Sequence, residues 1–156
     1  MHPEATIIGN VEIGPQTTVW PQTVLRGDQS RIVIGARTSV QDGAVIHCTR
    51  DLETIIGSDC VIGHLAHLEG CTVEDGALIG TGSIVLHRAI VRSGALVGAS
   101  ALVPNGMEVP SGAMALGVPA KLHEGRVKPG MISGPAQEYV RNWERYRNGL
   151  RRIDRD

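Results

Sequence analysis

Aliphatic residues return at every sixth position along most of this chain. The series runs Ile7, Ile13, Val19, Leu25, resumes at Ile34, Val40, Ile46 and at Ile56, Ile62, Leu68, then continues through Val73, Ile79, Val85, Val91, Val97 and Val103. An amphipathic helix repeats its buried face about every 3.6 residues and a strand about every 2, so neither produces this spacing. A prism does. Each hexapeptide supplies one short strand and a corner, three close a coil, and stacked coils pair as parallel strands. Small residues four places further on, such as Thr17, Thr23, Thr38, Ala44, Cys60, Ala66 and Ala77, share the interior with the aliphatic ones. Gly14, Gly35, Gly57, Gly63, Gly80 and Gly98 directly follow an aliphatic residue, where glycine is read as easing the bend. The expected fold class is therefore an all-β solenoid, a left-handed parallel β-helix of hexapeptide repeats over residues 7–108.

The breaks in the count carry information. Leu25 to Ile34 is six plus three and Ile46 to Ile56 is six plus four, which predicts loops at 27–32 and 48–54. Leu68 to Val73 is one residue short, a tightened corner. Loops interrupting a solenoid commonly carry binding groups. After Val103 the pattern decays through Pro104, Pro110 and Pro119, giving a connecting segment at 109–132. Tyr139, Trp143, Tyr146 and Leu150 then form the stripe of an amphipathic helix, expected at 134–151 and packed along the prism. One domain spans 1–156.

With two Trp, two Tyr and no Phe, the interior is built from small aliphatic side chains, as a narrow coil requires. A net charge of −1 leaves no electrostatic footprint for nucleic acid or an anionic membrane. No apolar run reaches the roughly 20 residues of a membrane helix, and Met1-His2-Pro3-Glu4 does not open a signal peptide, so the expected location is cytoplasmic. Cys48, Cys60 and Cys71 have no C-x-x-C spacing and read as buried free thiols.

Residues in equivalent positions three repeats apart stack directly. His47 follows Ile46 and Glu69 follows Leu68, and the 22 residues between them are three hexapeptides plus the four-residue insertion. They occupy one site on successive coils, with backbones ~4.8 Å apart. His64, two residues after Ile62, belongs to a different corner and needs a neighbouring subunit to share a metal with them. His67 stands at another position again. Two histidines and a carboxylate form a known catalytic zinc set and also suit non-haem iron.

The segments Leu25-Arg26-Gly27-Asp28, Val40-Gln41-Asp42-Gly43-Ala44-Val45-Ile46-His47, Ile62-Gly63-His64, Gly70-Cys71-Thr72 and Gly117-Val118-Pro119-Ala120-Lys121 resemble the γ-class carbonic anhydrases and their bacterial relatives. The resemblance covers about residues 7 to 122. It implies a homotrimer with a metal at each subunit boundary, held by three histidines, two from one chain and one from the next. Carried over, His47 is the first ligand, His64 the one given across the boundary, and Glu69 stands where the family has its third histidine. Arg26 and Asp28 match a pair used at the boundary, Gln41 the residue that orients the attacking hydroxide, and Asp42 its neighbour. The metal set implied is His47, His64 and Glu69 with Zn²⁺, or Fe²⁺ or another divalent ion. The function implied is hydration of CO₂ or another small electrophile, weakened by the anionic Glu69. A non-catalytic trimeric scaffold and a hexapeptide acyltransferase stay open beside it, because a fold hosts many functions.

Overall fold

The computed structural model describes residues 1–128 and 130–149. It is a parallel β-solenoid of about six turns closed by one C-terminal helix, and the hexapeptide β-helix expected from the repeat is what forms. One face stacks the start of Val24–Ile34, then Val45–His47, His67–Glu69, Ile84–Val85 and Leu102–Val103. A second stacks Thr18–Val19, Ser39–Val40, Val61–Ile62, Leu78–Ile79, Leu96–Val97 and Met114–Leu116. The third stacks the end of Val24–Ile34 with Thr54–Ile56, Thr72–Val73, Ile90–Val91 and Glu108–Val109. The six-residue series fills the prism, Leu25, Ile46, Leu68 and Val85 having no exposed surface, with Ala44, Ala66 and Ala89 between them.

Several expectations are corrected. Residues 27–32 are no loop: they lie inside the eleven-residue strand Val24–Ile34, which runs from one face to the next beside Thr6–Ile13. The register steps from Gly9↔Gly27 to Asn10↔Arg31, so the three extra residues Asp28, Gln29 and Ser30 form a bulge in a continuous strand. The second insertion does leave the coil, as a tight turn bridged between Thr49 and Leu52. The coil also runs past residue 108: Val109 and Ala115 keep the six-residue step, and Met114 and Ala115 pair with Leu96 and Val97. Corner prolines and a small Ala at 115 hide that step in the sequence.

The glycines directly after the aliphatic residues do not make the bends. Residues two places later do, in the left-handed region: Gln16, Arg37, Asp59, Leu65 and Ser100 among them. Gly35 is needed because a Cβ there would lie 2.6 Å from the backbone of Gly57 on the next coil. The same holds between Gly14 and Gly35 at 2.6 Å.

The helix spans Ser133–Gly149; Leu150 and residue 151, expected to continue it, lie outside the described residues. It packs against the Thr18–Val19 and Ser39–Val40 strands. Trp20 receives it edge-to-face, with Tyr139 at 6.3 Å and Tyr146 at 6.0 Å between ring centroids. These aromatics pack the helix onto the outside of the prism and stay half-buried or exposed. Among the described residues no helix is long and apolar enough to cross a membrane.

Candidate functional site

The two insertions and the shortened corner fall at the same edge of the prism, on three successive coils. Arg26 pairs with His47 and His47 with Glu69 in the parallel register, so the stacking expected of His47 over Glu69 is present. His47 is nearly buried. Its Nδ1 meets Glu69 Oε1 at 2.8 Å and its Nε2 meets Asp28 Oδ1 at 3.0 Å. Asp28 reaches the ring because the bulge turns it back over the strand, and Arg26 pairs with its other oxygen, Oδ2. Arg26 first and His47 second hold the Asp28 carboxyl below the usual carboxylate range.

Glu69 gathers three histidines. His67 Nε2 lies 3.5 Å and His87 Nε2 3.6 Å from its Oε2, beyond hydrogen-bond reach. Burial alone pushes the Glu69 carboxyl up, but the hydrogen bond and charge of His47, with His87 and His67, outweigh it, and Glu69 is held ionised below its ordinary value. His87 Nε2 is buried without a hydrogen-bond partner. His87 belongs to none of the motifs read from the sequence. Its signal was available, since Val85 stacks on Leu68 and His87 follows two residues later.

His64 and Gln41 lie at the opposite edge of the same face. His64 Nδ1 meets Asp42 Oδ2 at 2.9 Å, one coil below, leaving Nε2 outside that pair. Gln41 is 3% exposed, and its Nε2 has no hydrogen-bond partner. Both line a groove of about 360 Å³ with Gly80, Gly98 and Tyr139. Between the two edges the face presents an outward column of Val24, Val45, His67, Ile84 and Leu102 in register. Val45 and Ile84 are each 38% exposed, and Leu65 at the His64 corner is 68% exposed.

Within one chain, then, His47, Glu69, Asp28 and Arg26 form one cluster and Gln41, Asp42 and His64 another. Among the described residues no three donors already surround a common point. The donor chemistry of each cluster nonetheless suits part of a divalent-ion site. A neutral imidazole has one N–H, so of the two ring nitrogens of His47 only one can donate to a carboxylate. A cation at the other leaves that N–H its carboxylate, the outer partner that orients a metal-bound imidazole. The thiols are poor competitors, because burial pushes Cys71 up to about 12 and Cys60 up to about 11, away from the thiolate that binds metal.

No protein-family profile matches the chain. It is 40% identical over 90 residues to gamma carbonic anhydrase 2, a mitochondrial protein of Arabidopsis thaliana, an alignment covering 54% of this chain and 32% of that relative. The chain spans about half the length, or less, of the curated relatives it matches. Among solved structures, a hexapeptide transferase family protein from Anaplasma phagocytophilum is similar with a TM-score of 0.84 and 34% identity, over 93% of this chain and 90% of the other. A putative acetyltransferase from Bacillus cereus is similar with a TM-score of 0.86 and 32% identity, over 93% and 89%.

Proposed function

Because the chain belongs to the γ-class carbonic anhydrase-like family of hexapeptide-repeat proteins, we propose that it forms a homotrimer with a divalent-metal site at each subunit boundary. In this reading His47 and Glu69 of one chain and His64 of the next hold Zn²⁺ or Fe²⁺, and the site hydrates CO₂ or another small electrophile. The observation that carries it is the division of the site: two incomplete clusters lie at opposite edges of one face, and that face exposes aliphatic side chains. Exposed apolar columns of this kind mark surfaces that a partner covers.

A bound divalent ion supplies Lewis acidity, polarising a carbonyl oxygen and bringing the pKa of water down to about 7. The chain's own residues do the rest. Asp28, on the other ring nitrogen, fixes the plane and tautomer of His47 when His47 and Glu69 hold the ion. Arg26 keeps Asp28 ionised and turned toward the ring. Gln41 offers a buried amide N–H to an oxygen in the groove, and Asp42 holds His64 from below. Glu69 brings a negative charge that a histidine would not, which makes water at the site harder to ionise.

The test combines sedimentation, elemental analysis and a stopped-flow hydration assay. The expected result is a trimer with one divalent ion per boundary, His47→Ala and His64→Ala each lowering metal content at least about tenfold, and His67→Ala leaving it unchanged. A monomer at micromolar concentration defeats the shared site. A second reading is acyl transfer, favoured by likeness to transferases along nearly their whole length; its general base would be His47 once one of the two carboxylates gives up its ring nitrogen. Acetyl-CoA turnover abolished by His47→Ala, with no metal bound, selects it.

A further inference from the structure

The insertion after His47 ends on Thr54, which has no exposed surface. Its Oγ1 donates to the main-chain carbonyl of His47 and accepts the N–H of Gly70 at 2.8 Å. His47 and Glu69 are register partners, and Gly70 directly follows Glu69. One hydroxyl therefore ties the backbone on both sides of the pair, using its single proton on one coil and a lone pair on the other. This matters because the corner is irregular here. The lower coil carries four extra residues and the upper coil lacks one, so the parallel ladder ends at His47 and Glu69 and no regular strand beyond them holds that last pair. The turn also brings Leu52 against Gly70, where a Cβ would meet it at 3.0 Å.

We infer that Thr54 is a positioning residue for the His47–Glu69 pair, acting through the main chain of both, and that the 48–54 insertion serves to deliver its hydroxyl. The functional consequence rests on the metal reading above; the clamp does not. Thr54→Val keeps the shape and removes the hydroxyl, whereas Thr54→Ser keeps the hydroxyl.

With Co²⁺ as probe on the full chain, Thr54→Val should weaken binding about tenfold and Thr54→Ser by no more than about twofold, the range for groups that orient ligands. Unchanged Co²⁺ affinity in a folded Thr54→Val protein overturns the inference. If the wild type takes up no Co²⁺, the metal reading is what fails. The clamp is then judged from the ring ¹⁵N shifts of His47, which must move in Thr54→Val and return in Thr54→Ser; shifts that stay at wild-type values refute it. Should Thr54→Val not fold, amide exchange in the wild type decides. Protection at Gly70 equal to that of the buried strand amides supports the clamp, and exchange at the unprotected rate removes it.

Discussion

At the scale of single residues, glycine serves two separate needs in this coil. Gly35 has an ordinary backbone conformation but no room for a Cβ, with Gly57 backbone 2.6 Å away, whereas Gly94 sits at φ +67 with nothing within 4 Å. Gly35→Ala should therefore cost about 2–3 kcal/mol by overpacking, and Gly94→Ala about 1 kcal/mol by backbone strain. Chemical denaturation of the two variants checks the order, and the reverse order would mean that bending, not coil contact, limits these positions. Glu69 is the other decisive residue. Held ionised beside His47, it lowers the positive charge at the proposed site, so the wild type should hydrate CO₂ weakly and Glu69→His should raise the rate. One pKa unit on the attacking water is worth about tenfold in its ionised fraction. A metal-loaded Glu69→His protein no faster than wild type would place the defect in the surroundings, not in ligand charge.

Among elements, the three irregular corners and the helix do most to shape the molecule beyond its repeat. The bulge at Asp28–Ser30 and the turn after His47 stack at one edge, and the shortened corner at Gly70 lies above them. The helix is held mainly by aromatic edges around Trp20, with Ile132 and Ala136 buried at its start. Trp20→Ala should loosen it, costing about 2 kcal/mol from a half-buried aromatic and its edge contacts. Limited proteolysis is expected to cut the variant within 133–149 before the coil, whose protection should be unchanged. Simultaneous loss of both would show that the helix is part of the cooperative coil.

For the whole molecule, stacked coils are laced by ion pairs running from one turn to the next. Arg37 pairs with Asp59, and Arg92 with both Glu74 and Glu108. Asp59 is lowered by Arg37, Glu74 and Glu108 by Arg92, and Asp28 by Arg26 and His47. A carboxyl whose folded pKa is depressed stabilises the fold above its ordinary value and loses that contribution as pH falls through the lowered one. Stability should therefore hold from neutrality to about pH 5, fall progressively as pH drops below about 4, and do so less steeply in high salt, since these pairs are exposed. Thermal unfolding midpoints across that range check the sign; a midpoint that rises on acidification would contradict it.

The sequence by itself determined the coil, its interior and the stacking of His47 on Glu69. A six-residue period of aliphatic side chains can be buried only by a prism, and three periods return a residue to its own position one coil up. The same count carried one coil further reaches Leu86, which puts His87 one residue past the stacked position at that corner. What it could not determine was where the extra residues go. Counting shows three extra before Ile34 and four before Ile56, but whether they leave the sheet depends on which backbone hydrogen bonds survive. That is settled only when the neighbouring strand is in place. Thr6–Ile13 keeps the first insertion as a bulge and so delivers Asp28 to His47. The second turns out of the coil and returns Thr54 beneath Gly70, because a buried hydroxyl there satisfies two main-chain groups that the irregular corner leaves open.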